Sequence, residues 1–409
     1  MSGPSAVGSA LGVEAPAVTV IVPTFNRASM LQQCIDSVLK QTAKPLEIIV
    51  VDDGSTDATA ILGKEFPPIV RYLAKRNEGK AAALNFALPF ARGEWIWFFD
   101  DDDVALPRSI EVRLHAISER PDVRLVISRF VWGRDDDAGH IVPGEALHWP
   151  GFTSADFYPK FLRSCFAHLN GALVRRSRIA EVGGFRTDLL ASEDYEFTLR
   201  IARGQAVALC DEPTFIFRQH GGSRGPDGRQ YSADLRLRKF ADGDTEIGRS
   251  IRSTHELPEY LGLPPERPLD ESRLQEALLA RLEVMAGKGL PKELTDDAHA
   301  LAESLDRSGA VLDARTADAI KGAMQERYLT FRMADAPGEA YRLLSSLNAS
   351  ARGRSILKVM ARAILGVAWW QKLKLADRIG LAGLAVRLRW LVALPWLRHD
   401  PSAAASERT

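Results

Sequence analysis

The chain has 409 residues, of which 46% are hydrophobic and 26% are charged, and its 53 Lys and Arg residues balance 53 Asp and Glu residues. This length suggests two or three domains of roughly 100–200 residues each, and the composition is typical of globular proteins. A chain without net charge has no electrostatic support for binding nucleic acid. The three cysteines are widely separated, which argues against a disulfide framework or a zinc site and indicates a reducing compartment.

The first 17 residues are rich in Gly, Ser, Ala and Pro. They lack the basic start and the long apolar core of a signal peptide, so we expect residues 1–17 to form a disordered leader. No window of the sequence reaches 18 uncharged apolar residues, and we therefore expect no membrane-spanning helix. These features predict a cytoplasmic protein.

Four strands are predicted in the first hundred residues, separated by helical segments. Residues 18–23 and 46–51 predict the first two strands, and the helix between them begins at about Ser29, a candidate N-cap. Residues 69–73 predict the third strand. Residues 95–99 are all apolar and predict a fourth strand that is buried on both faces. Because parallel strands need crossover helices, the alternation predicts a parallel, doubly wound α/β sheet.

A polar turn follows each of these strands. Since the carboxyl ends of parallel strands meet at one edge of a sheet, we expect the four turns to form one pocket. Asp100–Asp103 make up the last turn, and four adjacent acids repel one another unless a cation lies among them. Mg²⁺ or Mn²⁺ would supply that charge, and a solvated acidic turn is the alternative. The four turns are residues 24–27, 52–57, 77–80 and 100–103.

The following hundred residues predict further strands and helices. Residues 123–132 predict one or two strand segments, residues 133–144 a charged loop, and residues 207–217 a returning strand. Ser192 predicts the N-cap of a helix. The acids Glu193 and Asp194 lie in its first turn, where they would at least complement the helix dipole. The sequence contains neither a G-x-G-x-x-G after its first strand nor a P-loop motif, which argues against both kinds of nucleotide site.

Seven short motifs follow one another along the chain: VIVPTFNR (20–27), VVDDGSTD (50–57), NEGK (77–80), FFDDDD (98–103), GGF (183–185), EDYE (193–196) and RQH (218–220). Their order resembles that of the family-2 inverting glycosyltransferases of the non-processive type. This resemblance covers about residues 18–223, a little over half of the chain, and it is specific because seven motifs occur in the right order. Processive synthases of the family carry Q-x-x-R-W, whereas here Val386 stands where the Gln would be needed.

The resemblance implies a GT-A type fold, a nucleotide-diphosphate sugar such as a UDP-sugar as donor, and Mn²⁺ or Mg²⁺ as cofactor. The acceptor would be a hydroxyl group of a glycan, a glycolipid or a lipid-linked polysaccharide precursor. Phe25 would lie against the base, and Asp53 would accept a hydrogen bond from the base or the ribose. The residues implied in binding the nucleotide sugar are Pro23, Thr24, Phe25, Arg27, Asp53, Lys80, Asp100, Asp101 and Asp103.

The same resemblance assigns the reactive groups. Asp102, the second acid of the D-x-D motif, would coordinate the metal together with His220, and Asp101 and Asp103 would be supporting acids near the sugar. Asp194 matches the catalytic base, and a positioned carboxylate that takes the proton of the attacking hydroxyl is worth typically about 10²–10⁴-fold in rate. The metal would neutralise the leaving diphosphate. One base opposite the leaving group implies a single displacement with inversion.

The second half of the chain is predicted to be helical. Residues 351–409 differ from the helices before them because they are basic and rich in Trp and Leu. This pattern suits a tail that lies in a membrane interface with anionic lipids, on the inner face of the cytoplasmic membrane, and packing on the catalytic domain is the alternative. The predicted parts are the leader (1–17), a GT-A domain (18–228), a helical domain (229–350) and the tail (351–409).

Two other functions are compatible with parts of this pattern. A nucleotidyltransferase can share the sheet architecture, but it usually carries a Gly-rich, basic loop after the first strand, which residues 23–27 lack. A non-catalytic scaffold of a polysaccharide assembly complex would not need its acids, so the presence of Asp102 and Asp194 argues against it.

Overall fold

The computed structural model describes residues 17–149, 151–219, 233–370 and 375–393. The chain divides into two compact units, one made of residues 1–157 and 166–236 and the other of residues 158–165 and 237–409. All but the last residue of the predicted leader, and the predicted domain boundary at residue 228, lie outside the described residues.

A nine-stranded mixed sheet forms the first unit. The strands β1, β2 and β4 consist entirely of buried residues, which confirms the expectation that the apolar run before the acids is a strand buried on both faces. The strands are β1 (Val18–Thr24), β2 (Glu47–Asp52), β3 (Val70–Ala74), β4 (Trp95–Phe98), β5 (Val104–Ala105), β6 (Leu125–Asp135), β7 (Ile141–Ala146), β8 (Ala172–Arg175) and β9 (Val207–Arg218).

The strand order is β3-β2-β1-β4-β8-β6-β9-β5, and β7 pairs with β6. Strands β1 to β4 are mutually parallel, and β6 and β9 run in the same direction as they do, whereas β5, β7 and β8 run in the opposite direction. The predicted α/β class with a mostly parallel sheet is thereby confirmed. In the register, Thr24 lies beside Asp52, and Ile21 beside Phe98. Continuing that register places Asp101 level with Thr24, so three strands deliver polar residues to one edge.

Helices cover the sheet, and the first of them begins earlier than predicted. Helix α1 starts at Ala28 with Arg27 as its N-cap residue, so the expectation that Ser29 is the N-cap was wrong. Arg27 is held in that position by the acids described below. The helices up to the end of the sheet are α1 (Ala28–Leu39), α2 (Thr59–Leu62), α3 (Lys80–Ala87), α4 (Ser109–Glu119), α5 (Phe157–Arg163), α6 (Arg176–Val182) and α7 (Glu193–Ala202).

Residues 133–144 do not form the predicted loop. Strand β6 continues to Asp135 and β7 begins at Ile141, so this segment is most of a β-hairpin. The Asp136 carboxylate accepts the backbone N–H groups of Ala138 and His140, and Gly139 adopts φ 79°. The charged residues that suggested a loop therefore stabilise a tight turn, because an aspartate at this position satisfies the turn's own donors.

The second unit is built from helices. Their inward faces supply its apolar core, and α14 and α15 pack against each other and against the helices before them. Among the described residues, no helix has both the length and the apolar character needed to cross a bilayer. The remaining helices are α8 (Ala233–Thr254), α9 (Glu271–Gly287), α10 (Pro291–Ser308), α11 (Ala314–Ala323), α12 (Arg327–Asp335), α13 (Pro337–Ser345), α14 (Ala351–Trp370) and α15 (Leu375–Ala393).

Candidate active site

The four acids after β4 form the centre of the site. One carboxylate oxygen from each of Asp100, Asp102 and Asp103 lies within 4.8 Å of the others, and Asp102 and Asp103 are buried. Three convergent carboxylates are the hard oxygen ligands that Mg²⁺ and Mn²⁺ prefer. The donor set therefore fits the divalent metal expected from the sequence.

Two basic residues offset the charge of these acids. Arg27 Nη1 donates to Asp101 Oδ1 and to Asp102 Oδ2, each at 2.8 Å, and Lys80 Nζ lies 2.6 Å from Asp100 Oδ1. Burial acts to lower the pKa of Arg27, but Asp101 and Asp102 outweigh it and raise that pKa above its ordinary value. Arg27 therefore stays charged, and it ties the residues after β1 to the acids after β4.

Asp101 and Asp103 are held by neutral donors as well. Thr24 Oγ1 donates to Asp101 Oδ2 at 2.7 Å, and Asn170 Nδ2 donates to Asp103 Oδ2 at 2.5 Å. Burial raises the pKa of Asp101 to about 6, with Arg27 opposing the rise. Burial and the neighbouring charges of Asp102 and Asp100 raise the pKa of Asp103 well above its usual range. The cluster is thus short of positive charge, which is the condition that favours binding a cation.

Arg218, at the end of β9, fastens the acidic turn from the other side. Its backbone N–H donates to Asp103 Oδ1 at 2.9 Å, and its Nε donates to the Asp102 carbonyl at 2.7 Å. The guanidinium also donates to Asp135 on the hairpin and to Gln33 on α1. Because Arg218 is only 2% exposed, these contacts fix the backbone that aims the acids.

Asp53 shapes the loop that carries Lys80. Its carboxylate accepts the backbone N–H of Gly79 at 2.7 Å and that of Glu78 at 3.1 Å, and Lys75 Nζ lies 2.9 Å from Oδ1. Asp53 is 4% exposed. Its carboxylate oxygens therefore already accept hydrogen bonds from within the protein. Through these bonds Asp53 holds the loop between β3 and α3.

Asp194 lies at the second position of α7, half-buried, and Ser192 before it adopts a left-handed conformation with φ 64°. Burial acts to lower the pKa of Lys80, but Asp100, Glu193 and Asp194 together raise it. Lys80 therefore lies within electrostatic reach of both the acidic turn and the start of α7. The expected base and the expected metal ligands share one region of the sheet unit.

Aromatic packing holds α7 against the acidic strand. Phe98 makes edge contacts with Phe185 and Phe197 at 5.1 and 5.6 Å between ring centroids, and Phe185 stacks on Phe197 at 3.9 Å. Phe98 is two residues before Asp100, and Phe197 is three residues after Asp194. This shared aromatic cluster therefore fixes the spacing between the two acidic segments.

The turn before α7 is fastened by two polar residues. Asn85 accepts the N–H of Phe185 at 2.7 Å and donates to its carbonyl at 2.8 Å. Arg200 pairs with Glu196 and also donates to the carbonyl groups of residues 182–184. The GGF motif is thus a fixed support for α7.

The remaining site residues expected from the sequence are distributed as follows. Pro23 is buried at the end of β1, and Phe25 is half-buried after it, beside Arg27. His220 lies outside the described residues. Sequence reasoning gave no role to Asn170, Arg218 or Lys75. The RQH motif is the only sequence signal for Arg218. Asn170 has no sequence signal, because the two acids that it contacts, Asp103 and Asp100, are 67 and 70 residues away along the chain.

Comparison with known proteins places this sheet unit in context. The model of the family described as "Glycosyl transferase family 2" matches residues 19–183. An uncharacterized glycosyltransferase of Rickettsia felis is 30% identical over 223 residues, which are 53% of this chain and 36% of that protein. Chondroitin synthase of Pasteurella multocida is 28% identical over 190 residues, 46% of this chain and 19% of that protein. The chain thus spans about a third of the first of these relatives and about a fifth of the second.

Two solved structures resemble the chain over most of its length. Residues 1–349 of Staphylococcus aureus TarS in complex with UDP-GlcNAc align with a TM-score of 0.48 and 16% identity, covering 91% of this chain and 92% of that one. The mannosyltransferase PcManGT of Pyrobaculum calidifontis, in complex with GDP-Man and Mn²⁺, aligns with a TM-score of 0.45 and 19% identity, covering 94% of this chain and 88% of that one.

Proposed function

We propose that this chain, whose residues 19–183 match the model of glycosyltransferase family 2, is an inverting transferase that moves a sugar from a nucleotide-diphosphate donor to an acceptor hydroxyl. The observation that carries the proposal is the position of Lys80. It pairs with Asp100 and lies within electrostatic reach of Asp194, so the cation site that we propose for the donor and the carboxylate that we propose for the acceptor both lie near this one side chain.

The donor end of the site consists of the turn after β1 and the acidic turn. Phe25 lies against the base, and Pro23 and Thr24 line the pocket beside it. Asp100, Asp102 and Asp103 would hold Mn²⁺ or Mg²⁺, with Asp102 as the principal ligand and His220 as a further one. When bound, such an ion neutralises the charge that develops on the leaving diphosphate.

The basic residues have two roles in this proposal. Arg27 and Lys80, which pair with acids in the structure, also reach the diphosphate, since each has further N–H donors besides those that the acids accept. Asp101 orients Arg27 near the sugar. For Asp53 we propose a positioning role in place of the expected contact with base or ribose, because it accepts three donors of the β3–α3 loop.

The acceptor end of the site is Asp194. Its carboxylate takes the proton of the acceptor hydroxyl while the oxygen attacks the anomeric carbon and the bond to the diphosphate breaks. Asp194 lies in the first turn of α7, where the helix dipole is positive and interacts favourably with an acidic side chain. Attack from the face opposite the leaving group inverts the configuration of the sugar.

The substrates we propose are a UDP-sugar as donor and a glycan or lipid-linked saccharide as acceptor. Relatives named chondroitin synthase and hyaluronan synthase support a glycan acceptor. We further propose that the protein works in the cytoplasm, peripherally bound to the inner face of the membrane, where lipid-linked acceptors reside.

Replacing Asp194 by Asn tests the assignment of the base. Because the amide cannot take a proton, transfer should fall by about 10²–10⁴-fold, whereas donor affinity should stay at the wild-type level. Transfer is measured as UDP release from a panel of UDP-sugars with Mn²⁺ and a saccharide acceptor, and donor affinity by calorimetry. The control is Asp188→Asn, whose side chain is 65% exposed and lies six residues before Asp194, ahead of α7. Equal loss of transfer and donor binding in Asp194→Asn would show a structural role instead.

A further inference from the structure

Helix α15 carries an apolar stripe that the described part of the chain leaves exposed. Leu375, Ile379, Val386 and Trp390 are 72%, 65%, 46% and 62% exposed. At about 100° per residue these four side chains lie within about 60° of one another around the helix. In the described part of the chain they are four of the ten large hydrophobic side chains that are exposed, although α15 has only 19 residues.

The opposite face of α15 is the one that packs on the protein. Its buried residues lie on the far side of the helix from the stripe, and they contact α12, α13 and α14. A helix with one apolar face needs only one partner. Since α15 has two such faces and the second unit covers one, the exposed stripe needs an explanation of its own. The buried residues are Leu381, Leu384, Ala385, Leu388 and Val392.

Basic residues border the stripe on both sides. Arg387 and Arg389 are exposed and lie on opposite sides of it, and the guanidinium of Arg387 is 5.9 Å from the centre of the Tyr341 ring. On α14, Lys358 and Arg362 are exposed as well. Asp377 is the one acid of α15 and lies on the side away from the stripe. The border of the stripe on α15 therefore carries positive charge, and the one acid of α15 lies away from it.

We propose that this stripe, Leu375–Ile379–Val386–Trp390, docks on an anionic lipid bilayer, with α15 lying parallel to the membrane surface. The apolar side chains enter the boundary between headgroups and acyl chains, and the two arginines contact lipid phosphates. Trp390 lies near one end of the stripe, and its ring suits the interfacial region. The inference deepens the proposed membrane association and rests on it, because it names the surface and the lipid charge.

A second copy of the chain fits the stripe less well. Parallel pairing of two α15 helices would bring their bordering arginines towards each other, and like charges at an interface are repulsive. Antiparallel pairing would leave these arginines without an acid of the partner helix, because Asp377, the one acid of α15, lies on the side away from the stripe. A bilayer with anionic lipids instead pairs those arginines with opposite charge. Charge complementarity therefore favours an anionic lipid surface over a second copy of the chain as the partner of the stripe.

Vesicle binding by the full-length chain tests the inference. Wild type is expected to sediment with vesicles rich in phosphatidylglycerol and to bind phosphatidylcholine vesicles at least about tenfold more weakly. Ile379→Glu/Trp390→Glu should lower binding to the anionic vesicles at least about tenfold, because charged side chains do not enter the apolar boundary. Arg387→Glu/Arg389→Glu should lose the preference for anionic lipid.

The matched control is Val311→Glu, which places the same charge at a 67% exposed apolar site of the same unit and should bind vesicles as wild type does. Circular dichroism verifies that each variant is folded, and UDP-sugar hydrolysis without vesicles should be the same in all of them. If Ile379→Glu/Trp390→Glu binds anionic vesicles as tightly as the wild type does, the stripe is not the docking surface, although the protein still associates with membranes. If the wild type binds neither kind of vesicle, the stripe does not dock on lipid. If the wild type is a dimer that Ile379→Glu/Trp390→Glu dissociates, a second copy of the chain covers the stripe instead.

Discussion

At the scale of single residues, Asn170 supports Asp103, an acid whose pKa burial raises well above its usual range. Its amide donates to Asp103 at 2.5 Å and to Asp100 at 3.3 Å, and its carbonyl accepts the indole N–H of Trp97 at 2.7 Å. Asn170 therefore links two acids of the cluster to the buried strand beneath them. Groups that orient metal ligands in this way set the affinity of a site as much as the ligands do.

Replacing Asn170 by Ala should weaken Mn²⁺ binding by about 10–100-fold, which is the usual effect of removing a residue that orients metal ligands. The physical reason is that Asp103 keeps only the backbone N–H of Arg218 as donor and faces the charges of Asp100 and Asp102. Titration with Mn²⁺ by calorimetry measures the change. An Mn²⁺ affinity equal to that of wild type would show that Asn170 serves only the fold.

Glu193 gives a pH dependence that a single substitution can test. Burial and the charge of Asp194 raise its pKa from 4.5 to about 7, with Lys80 opposing the rise. A carboxyl whose pKa is higher in the folded state than in the unfolded state stabilises the fold when protonated. That contribution is present below pH 4.5 and is lost as the pH rises through about 7.

Glu193→Gln should therefore melt at the same temperature as wild type at low pH and at a higher temperature above pH 7. Melting temperatures of the metal-free protein across this range measure the difference, and about 2–4 °C is expected for each 1 kcal/mol. Glu181→Gln is the control, because Arg178 and Arg124 lower the pKa of Glu181 and its difference from wild type should be constant above pH 5. A constant difference for Glu193→Gln would contradict the raised pKa.

At the scale of elements, the turn at residues 183–185 supports α7 through Asn85 and Phe185. Gly184 is packed so closely that a Cβ atom there would lie 2.2 Å from Asn85 Oδ1. That oxygen accepts the N–H of Phe185, which stacks on Phe197 of α7. A side chain at residue 184 would thus act on α7 through Asn85 and Phe185.

Gly184→Ala should cost about 1–3 kcal/mol of stability, as overpacking of a close contact generally does, and should lower transfer by moving Asp194. The double variant Asn85→Ala/Gly184→Ala separates the two effects. Because Asn85→Ala removes the oxygen that the new Cβ would meet, the double variant should be no less stable than Asn85→Ala alone. Denaturant unfolding of the four proteins measures this, and simple addition of the two costs would refute the contact.

The strands and helices also show how much of the structure could be predicted from the sequence alone. The alternation of strands and helices predicted that the turns after β1, β2, β3 and β4 meet at one edge, because that outcome follows from parallel pairing. The hairpin at residues 133–144 was not predicted, since its charged residues carry no strand periodicity. Arg218 and Asp103 are 115 residues apart, and no local pattern encodes such a pairing. The sequence thus predicted the acids and their partners Thr24, Arg27 and Lys80, but not Asn170 and Arg218, which hold the acids from distant segments.

At the scale of the whole molecule, the proposed active site and the apolar stripe belong to different units of the chain. The acidic turn, the loop with Lys80 and the start of α7 belong to the sheet unit, and α15 belongs to the helical unit. A ligand of one surface therefore need not protect the other. Hydrogen exchange can follow both at once, because amide protection reports the local stability of each segment.

A UDP-sugar with Mn²⁺ should slow exchange in residues 75–80, in residues 100–103 and at the start of α7, and it should leave α15 unchanged. Anionic vesicles should slow exchange in α15 and leave those segments unchanged. Ligand at about 100 times its dissociation constant stabilises the bound state by about 2.7 kcal/mol, enough to slow local opening about 100-fold. Asp102→Asn supplies the control, because it should lose the first pattern and keep the second. Protection of α15 by the nucleotide sugar alone would mean that the two surfaces are coupled.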